Sequence, residues 1–368
     1  MRGNFTTPCF VMERAKLEAN LAKLDYLQNQ TGVKILHTLK SFNALEGLEI
    51  INSKLSGFSI GNPVELKMIG SLHPKHIHSY APYFDPREIT TIAQKSDTIS
   101  FNSLHQWQNY TQKLQGITSL GLRINPILTL KQPKYCNANY AKHLGVNYRE
   151  FLERFAQDPD SFQSLEGLHF HALCNQGIGG LKYLLAHIDK TYAHLLSSLK
   201  WLNLGGGHQL THEDYDREVF IATVNTFIAK YPNLQLYFEP GESVVKNTGY
   251  FQTTIVDIIP SSPPIIMLDT SIEAHLLDIA ITKQKPTIRN TVEHKTPHRY
   301  QIVGKSCIAG DRIGEYYFKE PLSIGDRVIF EDMMGYTMVK QTEFNGIERA
   351  GFGVVKCLDT FKIIEESF

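Results

Sequence analysis

Eight short apolar segments recur between about residues 30 and 240, each separated from the next by an amphipathic stretch. This alternation is typical of strand and helix units arranged around a parallel sheet. Eight such units favour a closed (β/α)8 barrel of the TIM type over an open sheet. The predicted strands are VKILHTL (33–39), GFSI (57–60), HIHSYA (76–81), DTISF (97–101), LGLRIN (120–125), GLHFHA (167–172), WLNLG (201–205) and LQLYFE (234–239).

After about residue 245 the pattern changes to strand-like segments separated by turns rich in Pro, Gly and Asp, which indicates an all-β region. These segments are YFQTTIVDI, PIIMLD, RYQIVG, DRVIFED and GYTMV. We therefore predict a barrel over 11–245 and a β domain over 246–368, to which about residues 1–10 add a strand. The connection 126–165 is long, so part of it is predicted to be a loop over the barrel mouth.

The charge is balanced, with 37 Lys plus Arg against 37 Asp plus Glu. The chain therefore has no global field of the kind that attracts nucleic acid or an anionic membrane. It has no signal-peptide pattern and no apolar run approaching the roughly 18 residues that span a bilayer.

The cysteines of the chain are odd in number, widely spaced and free of C-x-x-C pairs, which disfavours a disulfide framework or a zinc site. We expect a soluble cytoplasmic protein. The cysteines are Cys9, Cys136, Cys174, Cys307 and Cys357.

Chemically suggestive residues follow four of the eight predicted strands. The C-terminal strand ends of a (β/α)8 barrel meet at one mouth, where reactive groups gather. Lys40 follows the first strand. Taken alone, such a lysine usually marks only the point where a strand reaches solvent. A partly desolvated amine at a barrel mouth instead loses proton affinity, and its neutral form can make a Schiff base with an aldehyde.

Three consecutive glycines, 205–207, follow the seventh strand and Glu239 ends the eighth. The glycines let the backbone approach an anion, and their N–H groups with the next helix N-terminus favour a phosphate. A flexible turn is the alternative, since the run lacks the G-K-[ST] of a P-loop. Glu239 is either a solvated loop glutamate or the partner of a pyridinium nitrogen, as in pyridoxal phosphate (PLP), where it keeps the ring able to accept electrons.

Two histidines, His169 and His171, lie two residues apart in the sixth predicted strand. Alternate residues of a strand point the same way, so both lie on one face with His171 nearer the mouth. His171 is either a core histidine or an imidazole stacked on a flat cofactor. An H-x-H pair can also bind a metal, but no carboxylate or cysteine signature completes it nearby, so no metal site is predicted.

Taken in order, these segments resemble the alanine-racemase-like fold of PLP-dependent decarboxylases. Among its ornithine, diaminopimelate and carboxynorspermidine branches, the likeness to the last is the closest, and it covers nearly the whole chain. The segments concerned are TPCFVMERAKLEANL, ILHTLKSF, GLHFHALCNQ, LNLGGGH, YFEPGES, LDTSIEAHLLD, SCIAGD and GYT.

The resemblance implies roles for particular residues. Lys40 becomes the Schiff-base lysine, His171 stacks on the PLP ring and Glu239 partners the pyridine nitrogen. Cys307 becomes the proton donor near the α-carbon, although a free cysteine taken alone is equally well a small buried hydrophobe. The implied phosphate contacts are Gly206, Gly207, Gly241 and Tyr336, with Cys174 at a position that often holds serine. The expected acidic contacts with substrate are Glu242, Asp278 and Asp311.

The implied reaction is decarboxylation of carboxynorspermidine or carboxyspermidine to norspermidine or spermidine, in a head-to-tail homodimer with shared active sites. Glu242 stands where the ornithine and diaminopimelate enzymes have an arginine, which agrees with that branch. The segment GKSC replaces the usual G-P-T-C or G-N-T-C, and no Met-Pro-rich continuation follows LDTSIEAHLLD. The alternatives are a decarboxylase of another diamino acid, a non-catalytic PLP-binding homologue, and a racemase, which normally has a tyrosine at the place of Cys307.

Overall fold

The computed structural model describes residues 5–128, 130 and 141–355, which divide into two compact units. One unit extends from Asn20 to Val244, and the other contains the residues up to Ala19 and those from Val245 onward. The second unit includes the first strand, β1 (Cys9–Glu13), and the start of the first helix, α1 (Arg14–Thr31). Residues 11–19 thus belong with the β unit, whereas the predicted boundary placed them in the barrel, because β1 pairs with strands of the β unit.

The unit from Asn20 to Val244 is a closed barrel of eight parallel strands, as predicted. Its sheet has the order β5-β4-β3-β2-β10-β9-β8-β6, and a β5–β6 pairing closes the ring. Seven of the eight predicted segments contain one of these strands in full, and the eighth, 120–125, covers all of β6 except its first residue, Ser119. The short β7 pairs with β6 outside the ring. The strands are β2 (Lys34–Thr38), β3 (Gly57–Ile60), β4 (Ile77–Tyr80), β5 (Thr98–Phe101), β6 (Ser119–Asn125), β7 (Val146–Asn147), β8 (Gly167–His169), β9 (Trp201–Asn203) and β10 (Gln235–Phe238).

Helices connect the barrel strands, and several begin at a capping side chain. Asn62, Ser103 and Asp216 each accept a backbone N–H from the first turn of the following helix, which satisfies a donor that the helix itself leaves unpaired. The helices are α2 (Leu45–Lys54), α3 (Pro63–Ile69), α4 (Ile89–Lys95), α5 (Leu104–Leu114), α6 (Tyr148–Gln157), α7 (Ile178–Leu196), α8 (Arg217–Lys230) and α9 (Glu242–Val245).

The barrel has an apolar outer face and a polar interior. On the outside, Phe101 of β5 packs against Trp107 of α5 with ring centroids 6.1 Å apart. On the inside, His78 of β4 lies 5.4 Å from the ring of His169 and 5.6 Å from that of Trp201. Because β4 pairs only with β3 and β5, contacts with β8 and β9 must cross the interior. Successive side chains of each strand point alternately into the barrel and out towards the helices, so the polar site lies inside and the apolar helix contacts lie outside.

The second unit is mostly sheet. Its strands have the order β13-β15-β14-β12-β11-β1-β17, with β16 also paired to β11. Here β1 is antiparallel to β11 and parallel to β17, and Phe10 packs on Phe251 at 4.5 Å between ring centroids. Its further elements are β11 (Gly249–Ile259), β12 (Ile265–Leu268), β13 (Thr291–Val292), β14 (Arg299–Val303), β15 (Arg312–Phe318), β16 (Arg327–Glu331), β17 (Gly351–Val355), α10 (Ile272–His275), α11 (Leu277–Thr282) and α12 (Tyr336–Val339).

The predicted mouth loop within 126–165 lies partly outside the described residues. Its described part contains β7, α6 and a short 3-10 helix, Pro159–Phe162. Across the described ranges, no helix combines the length and apolar character needed to cross a membrane.

Candidate active site

Lys40 lies directly beyond β2, in a 3-10 turn from Leu39 to Ser41. The Ser41 hydroxyl donates to the Thr38 carbonyl at 2.7 Å and fixes this turn. The Lys40 side chain has accessible surface, yet the protein around it lowers the amine pKa, chiefly by desolvation and further through the Arg123 cation. Both observations agree with a side chain that is solvent-accessible along part of its length and has protein around its amine. Its lowered pKa favours the neutral amine that Schiff-base chemistry needs.

Glu239 lies just beyond β10 and is 4% exposed, so the interpretation as a solvated loop glutamate is wrong. Burial raises the pKa of its carboxyl, while hydrogen bonds from Asn203 and Ser59 and the Lys40 charge oppose that shift. The Asn203 amide donates to Glu239 Oε1 at 2.7 Å, and Asn203 Oδ1 accepts the N–H of Gly205 at 2.8 Å. The carboxylate is thus fixed in position beside the barrel axis.

Imidazoles surround the same carboxylate. His169 Nε2 lies 3.6 Å from Glu239 Oε2, and His78 Nε2 lies 3.7 Å from Oε1. Desolvation lowers the pKa of His78 to about 3 and that of His169 well below its ordinary value. Because both rings are neutral, they place no formal positive charge against Glu239. A cationic ring nitrogen would therefore meet a carboxylate that has no imidazolium beside it.

His171 lies past the end of β8, half-buried, on the same side as His169. Its Nδ1 accepts the N–H of Gly206 at 3.4 Å, and desolvation lowers its pKa well below the ordinary value. Ligand atoms of His169, His171 and Glu239 all lie within 4.8 Å of one another. The prediction that no carboxylate completes the histidine pair is therefore wrong, because Glu239 arrives from another strand. These three side chains have the donor atoms of a metal site.

The glycines that follow β9 and β10 allow backbone segments to pack closely at the mouth. Gly205 and Gly207 have positive φ angles of 64° and 82°. A Cβ on Gly207 would lie 1.9 Å from the Leu173 carbonyl oxygen, and one on Gly206 would lie 2.6 Å from that of Glu239. A Cβ on Gly241 would lie 2.5 Å from Ser41 Oγ, beside the Lys40 turn. Only glycine permits this close approach of backbone segments.

The next helix after the glycine run is α8, which begins at Arg217, where the Asp216 side chain caps it. The contribution of this helix N-terminus to a phosphate site stays a prediction.

Sequence reasoning missed Arg123, a buried cation within β6. Its guanidinium lies 4.6 Å from the ring centroid of Tyr80, and its charge lowers the pKa values of Lys40 and His171. Glu65 was also missed. Its Oε2 accepts the Gly61 N–H at 2.6 Å, and its charge supports the protonated form of Lys40. An arginine inside an apolar strand such as LGLRIN was the available signal, because buried arginine is rare without a purpose.

Four of the predicted residues belong to the other unit. Cys307 is exposed in the turn between β14 and β15, so its interpretation as a buried hydrophobe is wrong. Its N–H donates to Asn345 Oδ1 at 2.9 Å. Tyr336 begins α12, and the Lys340 ammonium lies 5.1 Å from the centroid of its ring. The same ammonium pairs with Asp278 Oδ1 at 2.5 Å, so that carboxylate already has a cationic partner.

Asp311 is 3% exposed and its carboxylate organises its own loop. Its Oδ1 accepts the Ile272 N–H at 2.8 Å. Its Oδ2 accepts both the N–H of Ser306 at 3.0 Å and the hydroxyl of that residue at 2.6 Å. This structural role differs from the predicted contact with a substrate amine, because three donors within the same unit already occupy the two oxygens.

Cys174 follows β8 and is disulfide-bonded, so the prediction of unpaired cysteines is wrong at this position. Its sulfur consequently has no thiol proton to donate to a phosphate. Among the described residues, Cys9 and Cys307 are free, whereas Cys136 and Cys357 lie outside the described part of the chain.

Comparison with known proteins gives consistent matches over almost the full length. The family described as pyridoxal-dependent decarboxylase, C-terminal sheet domain, matches residues 9–334. A carboxynorspermidine/carboxyspermidine decarboxylase of Campylobacter jejuni is 34% identical over 376 residues, covering 98% of this chain and 96% of the relative. A carboxyaminopropylagmatine decarboxylase of Synechocystis is 34% identical over 362 residues, covering 97% and 92% respectively.

Among solved structures, carboxynorspermidine decarboxylase of Campylobacter jejuni, complexed with norspermidine, superposes with a TM-score of 0.89 at 33% identity. The superposition covers 99% of this chain and 98% of that one. The barrel and its mouth define the class first: a barrel enzyme of the kind that holds an aldehyde cofactor on a lysine. The chain belongs to the family of PLP-dependent decarboxylases, and it is accordingly a carboxy-lyase whose cofactor is PLP.

The mouth residues fit this cofactor. Glu239 is a buried carboxylate with neutral imidazoles on two sides, which suits a protonated pyridine nitrogen. Gly206, Gly207 and Gly241 let backbone segments at the mouth approach one another more closely than a Cβ would allow, so their N–H groups carry no side chain that would shield them from a phosphate. Lys40 supplies an amine with a lowered pKa at the same mouth.

Proposed function

We propose that the chain decarboxylates carboxynorspermidine or carboxyspermidine to norspermidine or spermidine, a step of polyamine biosynthesis. The main support is the near full-length likeness to relatives bearing those names, two of them among the matches. Glu242 adds support, because an acidic residue there suits a cationic polyamine tail better than the arginine of the ornithine and diaminopimelate enzymes.

Each residue of the barrel mouth has a separate role in holding the cofactor. PLP, when bound, supplies an electron sink for the bond to the departing carboxylate. Lys40 attaches the cofactor through its amine, Glu239 keeps a proton at the pyridine nitrogen, and His171 packs against the ring. Gly206, Gly207 and Gly241 would hold the phosphate through backbone N–H groups that no side chain covers.

The β unit supplies the remaining groups in this proposal. Cys307, exposed and free, returns a proton to the α-carbon after carbon dioxide leaves. Tyr336 contacts the phosphate. Asp278 meets the polyamine tail only by sharing or exchanging its Lys340 partner. Asp311 acts on the substrate indirectly, by holding the Cys307 loop in shape.

A second substrate is favoured by one specific observation, the equally similar carboxyaminopropylagmatine decarboxylase. That substrate ends in a guanidinium group instead of an amine. A planar guanidinium binds a carboxylate through two parallel hydrogen bonds, so the same acidic residues suit either substrate.

Direct product analysis separates the candidates. Purified protein with PLP is given, in parallel, carboxynorspermidine, carboxyspermidine, carboxyaminopropylagmatine, diaminopimelate and ornithine, and the amine products are measured by mass spectrometry. We expect the highest kcat/KM with one of the first two. A higher value with the agmatine derivative or with a simple diamino acid would replace the proposed substrate, and no release of carbon dioxide from any of them would favour a non-catalytic homologue.

We propose further that the enzyme is a cytoplasmic homodimer whose two active sites are shared. The supporting observation is that the proposed Schiff-base lysine and proton donor belong to different units of the chain. Lys40→Ala and Cys307→Ala each remove one of these groups. If the sites combine both subunits, mixing the two inactive variants restores activity that neither has alone. A mixture as inactive as its components, at confirmed subunit exchange, would contradict shared sites.

A further inference from the structure

A line of buried polar side chains crosses the barrel interior towards Glu239 from the end opposite Lys40. It starts at Asp97, whose Oδ2 lies 3.8 Å from His76 Nδ1. His76 Nε2 lies 3.1 Å from Thr98 Oγ1, which in turn lies 2.7 Å from His78 Nδ1. His78 Nε2 then lies 3.7 Å from Glu239 Oε1. The four side chains come alternately from the start of β5 and the start of β4. The last of them, His78, faces the Glu239 carboxylate.

Each member of the line uses separate atoms for its two neighbours. The two imidazoles present Nδ1 on one side and Nε2 on the other, and the Thr98 hydroxyl both accepts and donates. One arrangement of hydrogens satisfies both hydrogen bonds of Thr98. In it, His76 Nε2–H donates to Thr98 and Thr98 O–H donates to His78 Nδ1. The Nε2–H of His78 then has Ser100 Oγ at 3.2 Å and faces Glu239 Oε1 at 3.7 Å.

Water reaches the start of the line. The side chain of Asp97 is 54% exposed. It helps to line an open depression of about 540 Å³ at the N-terminal end of the barrel, together with Lys95, Ser119 and Glu166. The Ile77 N–H donates to Asp97 Oδ2 at 2.8 Å and holds the carboxylate near His76. Inward from this point the line is buried, since Thr98 is 4% and His78 is 1% exposed.

The surroundings keep the inner members uncharged. Burial lowers the pKa of His76 to about 4, with Lys34 and His78 acting the same way and the Asp97 and Glu239 carboxylates opposing. Its ring also stacks on Tyr237 at 4.7 Å between centroids.

The ring of His78 has neighbours on three further strands. They are Ser100 Oγ, which lies 3.2 Å from its Nε2, and the rings of His169 and Trp201. Neutral imidazoles can pass a proton without storing a charge in the core.

We propose that Asp97, His76, Thr98 and His78 form a proton relay between water at the N-terminal end of the barrel and Glu239. For each proton delivered, Asp97 or its water protonates His76 Nδ1, while Nε2–H passes to Thr98. The Thr98 proton passes to His78 Nδ1, and His78 Nε2–H passes to Glu239. No electrons are transferred, and passage in the reverse direction restores the starting tautomers.

The purpose of the relay rests on the proposed role of Glu239 at the pyridine nitrogen. When cofactor and substrate fill the mouth, the relay lets this proton equilibrate with solvent from the opposite end. The relay itself does not depend on which substrate is used, so it is measured separately from activity.

The test is hydrogen exchange by NMR on the full-length protein labelled with 15N in histidine, with and without PLP. The measured quantity is the exchange rate of the His78 imidazole N–H with water. Thr98→Val replaces the central hydroxyl by a methyl group of similar size. We expect this rate to fall by about tenfold or more, because a hydrogen-bonded link in the path is lost.

Three further variants make the result specific. Thr98→Ser keeps the hydroxyl and should restore rapid exchange. Thr253→Val removes a buried hydroxyl of the β unit, bonded to the Val328 carbonyl at 3.0 Å, and should leave the His78 rate unchanged. His76→Phe keeps a ring on Tyr237 but has no nitrogen, so it should slow exchange as Thr98→Val does, even if the latter fails to fold.

A His78 exchange rate that is equal in wild type and in folded Thr98→Val or His76→Phe would overturn the relay. A second readout uses the holoenzyme, in which the absorbance of bound PLP is followed after a rapid change of pH. The response should be slower in Thr98→Val than in wild type and in Thr98→Ser. Loss of activity with every substrate would contradict the proposed function, while the exchange measurement would still decide the relay.

Discussion

At the scale of single residues, the structure distinguishes acidic groups that are available from those that are already engaged. Glu239 and Asp311 are both buried, but their partners differ. Glu239 has hydrogen bonds from neutral side chains, with no imidazolium beside it, which suits a cationic ligand atom. Asp311 has three donors from its own unit, which leaves at most one of its roughly four lone-pair sites for a substrate amine. Sequence similarity assigned roles to both, and only their surroundings separate the roles.

Asp311→Asn should destabilise the protein more than it weakens substrate binding. The amide would present an N–H group to donors that now meet an oxygen, which leaves a buried polar group unsatisfied and costs about 1–3 kcal/mol. Unfolding by denaturant measures this loss, and Ser306→Ala, which removes one of the three donors, should cost less. An unchanged free energy of unfolding with a raised KM would assign Asp311 to substrate binding after all.

Cys307→Ala should slow the chemical step without affecting the fold. Because the side chain is exposed, its loss creates no cavity, whereas removing a general acid typically costs about 10²–10⁴-fold in rate. Single-turnover kinetics and the hydrogen content of the product at the α-carbon measure the effect. Cys9→Ala is the matched control, since Cys9 is free but buried in the core of the β unit, and it should reduce stability with little change in kcat.

At the scale of elements, the positions of the strands could be predicted from the sequence, but the contacts between side chains of different strands could not. Apolar runs between amphipathic stretches located all eight barrel strands, because burial on both sides of a parallel sheet leaves a clear pattern. The pattern does not say which side chains meet across the barrel. His78, Arg123 and Asn203 were therefore missed, although each is a polar residue within an apolar strand.

The carboxylate beside the histidine pair and the bonding of Cys174 were not predicted for the same reason. Glu239 meets His169 and His171 from a strand about 70 residues further along the chain, and such contacts are set by closure of the barrel. Local spacing could not reveal the bonding of Cys174 either, because that bond depends on where the fold brings its partner. Lys40 and the glycines were found because their strand ends are local features.

Gly207→Ala should weaken cofactor binding as well as stability. Gly116 offers a matched control, because its φ of 80° resembles that of Gly207 at 82°, yet an added Cβ there meets nothing within 4 Å. Gly116→Ala should therefore cost only the backbone strain, about 1–2 kcal/mol. Gly207→Ala adds a collision with the Leu173 carbonyl and should also raise the Kd for PLP. If Gly116→Ala and Gly207→Ala had equal effects on stability and on the Kd for PLP, Gly207 would not belong to the cofactor site.

At the scale of the whole molecule, the polar barrel interior makes stability depend on pH. Burial lowers the pKa of His37, His76 and His208 from 6.5 to about 4 and that of His78 to about 3. Unfolded chains bind these protons near pH 6.5, whereas the folded protein does not, so stability is complete above that value and falls as the pH drops towards 4. The raised pKa values of Glu239 and Glu65 act in the opposite direction, but the four histidines outnumber these two carboxyl groups.

We therefore expect the free energy of unfolding to decrease steeply between pH 6.5 and about 4, at about 1.4 kcal/mol for each unit of pKa shift. Denaturant unfolding across this range measures the slope. His208→Leu should reduce it by one titrating group, whereas the exposed His105→Gln should not. A stability that is flat or rises as the pH falls would show that these imidazoles do not remain neutral in the folded protein.

The attachment of PLP to Lys40 at the barrel mouth can be tested directly. The purified protein is reconstituted with PLP, reduced with borohydride, digested and analysed by mass spectrometry. We expect the cofactor mass on the peptide containing Lys40, and we expect that Lys40→Ala neither retains the cofactor nor shows the visible absorbance of the bound aldehyde. Cofactor fixed to a different lysine, or an unchanged spectrum in Lys40→Ala, would show that Lys40 does not hold PLP.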